Sequence, residues 1–135
     1  MNIAFFLLPK EHVICLTESS TMRQALERME FHRFTAVPIL DKDGKYLATI
    51  TEGDLLWKLK STPNLTFDNC HRVPISDIPK RMTVEPVRIY SQVEDLFSKA
   101  IHQNFVPVVD DQDIFIGIIR RSDIIEHLLK KTVNL

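Results

Sequence analysis

Two aspartates, Asp54 and Asp123, stand 69 residues apart, each where an apolar run gives way to an apolar helical pattern. A carboxylate fixed at such a step can accept from adjacent hydroxyls, and each hydrogen bond to an ionised group contributes roughly 1.5–3 kcal/mol. Thr51 and Ser122 add hydroxyls beside them, and the unpaired N–H groups of the following helix offer an anion site. Arg120 and Arg121 match a phosphate by bidentate, permanently charged contacts. The bland alternative is that each aspartate is an ordinary helix cap, Arg120 and Arg121 a solvated pair, and Thr35 and Thr51 strand residues.

The elements that must position these groups come in two copies. Val37-Pro38-Ile39-Leu40-Asp41 precedes Asp54, and Val106-Pro107-Val108-Val109-Asp110 precedes Asp123 at the same offset. In the first copy Val13–Leu16 reads as a short buried strand. Thr21 with Gln24 matches a capping box, and Met22, Ala25, Leu26 and Met29 make one helical stripe ending near His32. The strand Ala36–Leu40 carries Pro38, which cannot donate to a ladder and so implies an edge or a strand start. Asp41-Lys42-Asp43-Gly44 turns the chain into the strand Tyr46–Thr51, and a helix with Leu55, Leu56 and Leu59 on its stripe follows from Asp54, Trp57 packing beside it.

In the second copy Val87-Arg88-Ile89 is a strand, Ser91 with Glu94 a second capping box, and Val93, Leu96, Phe97 and Ala100 the matching stripe. One residue fewer between helix and strand predicts that this junction differs between the copies. Asp110-Asp111-Gln112-Asp113 replaces the glycine turn, Phe115–Ile119 is a strand, and Ile124, Ile125, Leu128 and Leu129 face the core. Each copy thus reads βαββα. The expected organisation is residues 1–60 as the first repeat with an N-terminal element, 61–80 as a proline-rich linker in which Val73–Ile78 contributes a short helix or strand that begins the second copy, and 81–135 as the second repeat.

A unit of about 60 residues buries only about 60% of its chain's surface, which favours two copies sharing a core. The chain is 44% hydrophobic and 26% charged, with formal net charge −1, values of a soluble globular protein without a basic field for nucleic acid. The run Ile3–Leu8 is too short for a membrane span or signal peptide and is expected to pack on the core or in a subunit contact. Cys15 and Cys70 form no disulfide or zinc pattern, which fits a reducing cytoplasm. His12, His32, His71, His102 and His127 lack metal-ligand spacing, no nucleophile–base arrangement stands out, and only three glycines are present. Neither a metal site nor an enzyme is expected.

With two βαββα copies, each holding an apolar-Pro-apolar-apolar-Asp strand and a strand-to-helix step ending in Asp, the chain resembles a cystathionine-β-synthase (CBS) domain pair over nearly all of residues 10 to 131. The resemblance implies an α+β fold in which two repeats pack through their sheets around a pseudo-twofold axis and leave clefts for adenosine-containing ligands. The family's motif runs Gly, apolar, any, Thr or Ser, any, Ser or Thr, Asp. The first copy, Ala48 to Asp54, keeps Thr51 and Asp54; the second, Gly117 to Asp123, keeps Gly117, Ser122 and Asp123 and puts Arg120 at the first hydroxyl. Phe34-Thr35-Ala36-Val37-Pro38, Asn104-Phe105-Val106 and Arg120-Arg121 are similar to small stand-alone CBS pairs that bind cyclic di-AMP.

On that resemblance Asp54 and Asp123 hold ribose hydroxyls, Thr51 and Ser122 bond ribose or phosphate, and Arg120 and Arg121 meet phosphate. The base would lie against Ile14, Ala36 and Val37 in one cleft and Val87, Val106 and Pro107 in the other, with Thr35 and Phe105 beside them. The expected function is regulatory sensing of AMP, ATP or cyclic di-AMP by a cytoplasmic homodimer that signals to an effector protein. The competing expectation is a ligand-free oligomerisation or docking module whose motif residues have become caps.

Overall fold

Two prolines set how far the parallel ladders run. In the computed structural model, which describes residues 1–133, β2 (Leu16–Thr17) lies parallel to β3 (Ala36–Leu40) with Leu16 opposite Ile39 and Thr17 opposite Leu40. Extending the ladder backwards would bring Cys15 to Pro38, which has no N–H to give. The strand expected over Val13–Leu16 is therefore cut to two residues, and Ile14 lies outside it. Pro38 sits in the middle strand of its sheet rather than at an edge, and is tolerated because β2 ends before reaching it. In the second copy β5 (Val87–Arg88) pairs with β6 (Phe105–Val109) only beyond Pro107.

The chain forms two compact units. The first, Ile14–Thr83, has the sheet order β2-β3-β4, where β4 is Tyr46–Thr51, with helices α1 (Met22–His32) and α2 (Glu52–Ser61). Leu16, Met22, Ala25, Met29, Val37, Ile50 and Leu55 form its core. Thr21 and Gln24 close the expected capping box in both directions, at 2.9 and 3.2 Å. Within 61–80 the short element expected over Val73–Ile78 forms as a 3-10 turn, but it packs in the first unit instead of opening the second repeat. The 3-10 turns Cys70–Arg72 and Ile75–Asp77 send Cys70, Ile75 and Ile78 into that core, while Met22 N–H donates to the Val73 carbonyl at 2.7 Å.

The second unit runs from Val84 onward and takes Met1–Val13 with it, so the N-terminal element joins the second repeat, not the first. Its sheet order is β1-β7-β6-β5, with β1 (Leu8–Pro9) antiparallel to β7 (Phe115–Arg120), and its helices are α3 (Val93–Ala100) and α4 (Arg121–Val133). Ile3 and Phe6, from a 3-10 turn ahead of β1, are buried with Val87, Leu96, Ala100, Val106 and Ile119. His127 packs edge-on against Phe5 and Phe6.

The capping box expected at Ser91 and Glu94 is absent. The cap of α3 is Gln92, without a side-chain bond, and the Ser91 hydroxyl accepts from Arg88 N–H at 3.1 Å. Ser20 does the same for Thr17 N–H, so Ser91 repeats Ser20 and Gln92 repeats Thr21. The repeat offset is 71 residues at these serines and 69 at the following strands, so the second copy is shorter by two residues at its helix-to-strand junction. There α1 ends on Arg33 in the left-handed region, whereas Gln103 is buried and bonds Glu85 and Phe105 through its side chain. Asp113, at φ 66°, takes the left-handed place of Gly44 at φ 86°.

On β4 the Tyr46 hydroxyl lies 2.7 Å from that of the buried Thr49. Burial pushes the Tyr46 phenol up from 10 to about 12, only partly offset by the Thr49 bond. The folded state thus keeps its proton where the unfolded chain has lost it, and stability falls as pH rises from 10 towards 12. Tyr46→Phe should cost about 1–2 kcal/mol at neutral pH, by orphaning Thr49. Urea titrations above pH 10 should show that deficit shrinking, because the variant lacks the titrating phenol.

Candidate functional site

The two motif aspartates end up in different environments. β4 delivers Thr51 as the cap of α2, and Asp54 is the third residue of that helix rather than its start. Thr51 Oγ1 accepts from Asp54 N–H at 3.2 Å and Asp54 Oδ2 accepts from Thr51 N–H at 2.9 Å, a closed capping box. Asp54 Oδ1 accepts from the Arg81 N–H at 2.9 Å, and the residue is 2% exposed. Burial lowers the pKa of the neighbouring Lys80, opposed by attraction to Asp54. The carboxylate expected to grip a sugar is turned inward and taken by the chain's own amides.

In the second copy Arg120 stands where the first has Thr51, and the local chemistry changes with it. A capping hydroxyl is replaced by a guanidinium, whose Nε donates to Asp123 Oδ2 at 2.8 Å and whose Nη2 donates to Oδ1 at 3.3 Å. Both side chains remain in contact with solvent, 51% and 29% exposed. An ion pair of this kind contributes about 0–1 kcal/mol, so an incoming ligand could take either partner at little cost. Ser122 is exposed on the same turn.

Arg121 is tied to the residues that lead into β6. Its N–H donates to the Asn104 carbonyl at 2.9 Å and its Nε to the Gln103 carbonyl at 3.1 Å, which ties it to backbone rather than presenting it to a phosphate. Phe105 is half-buried opposite Arg120 in the β6–β7 register. The expected apolar bed is mostly core: Val37 is part of the first unit's core, Val87 and Val106 of the second's, and Pro107 is buried too. In this conformation they have no surface to offer a base. Ile14 and Ala36 are half-buried, and Thr35 is exposed with its carbonyl accepting from Glu52 N–H at 3.0 Å.

Two contributors have no sequence signal. Gln103 knits the base of the second motif, and Arg81 closes the first from a proline-rich stretch 27 residues on. Among the described residues no three His, Cys, Asp or Glu side chains gather as a metal site, and no helix is long and apolar enough to cross a membrane.

Two βαββα repeats, each ending its third strand in a polar step with an aspartate on the next helix, define a tandem CBS architecture, and the chain belongs to the CBS domain family, whose model matches residues 7–61 and 75–130. Its relatives include a CBS domain-containing protein of Dictyostelium discoideum, 24% identical over 136 residues that span 96% of this chain and 94% of that protein. Among solved structures it is similar to CbpB in complex with c-di-AMP, with TM-score 0.85 and 23% identity over 99% of this chain and 88% of the other. CBSX2 in complex with AMP matches at TM-score 0.76 and 20% identity, covering 97% and 98%. At these identities the structural likeness is one of fold.

Proposed function

We propose that this protein is a non-catalytic regulator that binds an adenine nucleotide, AMP, ATP or cyclic di-AMP, at the Arg120–Asp123 step of its second repeat and signals occupancy to an effector protein in the cytoplasm. The observation that carries the reading is the solvent-exposed pair of Arg120 and Asp123 at the start of α4. Its two halves complement the two halves of a nucleotide: the carboxylate accepts from ribose hydroxyls, and the guanidinium turns to a phosphate. Ser122 adds a hydroxyl. The complexes of CbpB and CBSX2 with c-di-AMP and AMP support this ligand class.

Calorimetry with AMP, ATP and cyclic di-AMP on the folded protein tests it. Heat from one of them, fitting one site per chain, is expected; no heat from any contradicts the reading. Only a ligand with different affinities for two states of the protein can shift them, so the effector must read a state that the nucleotide favours.

A homodimer belongs to the same proposal. An apolar groove of about 560 Å³ between α1 and α2, lined by Leu26, Phe34, Leu55, Leu56, Leu59 and Phe67, supports it. Sedimentation equilibrium of the intact chain reads the mass directly, and a monomer at all concentrations removes that part. The closed first motif favours a second reading, a docking module whose motifs have become caps, which predicts no nucleotide response at either aspartate.

A further inference from the structure

Asp54 is held by a segment that no periodicity connects to it. Residues 79–86 form neither helix nor strand, so the Arg81 N–H has no ladder partner, and it donates instead to Asp54 Oδ1. Three other contacts fix the segment. Ile78 is buried in the first core, Lys80 Nζ donates to the Ile75 carbonyl at 2.9 Å, and the Arg81 guanidinium lies 4.8 Å from the centre of the Trp57 ring on α2. A guanidinium over an indole face is attractive because the ring's quadrupole presents its negative side. Burial lowers the Lys80 pKa, and attraction to the Asp54 carboxylate partly offsets it.

We propose that Lys80–Arg81 is an internal latch on the first motif: the Arg81 amide occupies the lone pair of Asp54 that a ligand hydroxyl would take, and the Trp57 clasp holds it there. The proposal rests on the nucleotide reading above and deepens it, because it explains why one carboxylate is available and the other is not. Over Asp123 the resident donor is a half-exposed side chain; over Asp54 it is a backbone N–H held by the buried Ile78, by Lys80 and by the Arg81 guanidinium on Trp57. Opening the first motif is then an exchange of donors on one oxygen, a ligand O–H for the Arg81 N–H. It also requires the guanidinium to leave Trp57 and frees the last residues of the unit, which ends at Thr83. A nucleotide must outcompete this clasp before it reaches the first motif.

Trp57 is the chain's single tryptophan, so its fluorescence reports the clasp without labelling. The experiment combines amide hydrogen exchange at Arg81, acrylamide quenching of Trp57, and titration with AMP, ATP and cyclic di-AMP in the wild type and Arg81→Pro, which removes both the N–H and the guanidinium. The Arg81 amide should exchange about tenfold or more slower than an unprotected amide, as a hydrogen bond to a buried carboxylate implies. Quenching should rise in Arg81→Pro and nucleotide stoichiometry should go from one to two per chain. If Arg81→Pro does not fold, Arg81→Ala removes the clasp alone and should still raise quenching and speed exchange at residue 81. An Arg81 amide exchanging at the unprotected rate, or a wild type that already binds two nucleotides, overturns the latch. Absence of binding in both proteins refutes the nucleotide reading, and the latch then stands or falls on exchange and quenching.

Discussion

Gly117→Ala is expected to lose about 2–4 kcal/mol of stability, roughly 10 °C in melting temperature, and to loosen β1 from the second unit's sheet. Gly117 lies opposite Pro9 in the β1–β7 ladder, and an added Cβ would fall well inside contact distance of the Leu8 carbonyl oxygen and 2.8 Å from Leu7 Cδ1. Backbone cannot yield as a flexible side chain would, and φ at this residue is 155°. The first repeat provides the control. Ala48 holds the equivalent position on β4, which is an edge strand with no β1 against it, so alanine fits there. Gly53, whose Cβ would meet only Thr51 Oγ1 at 3.8 Å, should accept alanine and gain about 0.5–1 kcal/mol, since it lies inside α2. Thermal unfolding of the two variants should therefore move in opposite directions.

Asp54→Ala should destabilise the chain by about 2–4 kcal/mol, while Asp123→Ala costs about 0–1 kcal/mol. Removing the buried carboxylate strands the N–H groups of Thr51 and Arg81 and opens the capping box of α2. Removing the exposed one breaks only an ion pair whose arginine stays in solvent. Urea unfolding of both variants measures the contrast. Equal costs would mean that the first motif is no more structural than the second.

How far the sequence reveals this arrangement depends on the range of each interaction. Stripes such as Met22, Ala25 and Met29 are legible because burial follows helical period, and the Thr21–Gln24 box because its partners are three residues apart. The duplication placed Asp54 and Asp123 at corresponding positions. It could not say that one faces inward, because the donor that decides this, Arg81, comes from a stretch without periodicity. The same limit applies to Gly117, whose partner Pro9 lies at the other end of the chain. Ser91 reads as the start of a capping box because serine followed three residues later by glutamate is a local pattern. The shift in repeat offset from 71 to 69 shows that it aligns with the turn serine Ser20 instead. Val37, Val87 and Val106 read as a bed for a base only under the resemblance; the continuous apolar runs around Val37 and Val106 mark those two as core, and core is where all three lie.

The two repeats thus keep one fold while dividing the work of one motif. In the first, a threonine and a backbone amide consume the aspartate and secure a helix. In the second, an arginine at the threonine's place leaves the aspartate at the surface in a weak pair.

Nucleotide affinity in Asp123→Asn and Asp54→Asn, measured side by side on folded protein, tests that division most directly. Asp123→Asn is predicted to weaken binding by about tenfold or more, and Asp54→Asn to leave affinity unchanged while lowering stability. Loss of binding in Asp54→Asn with full affinity in Asp123→Asn would contradict it.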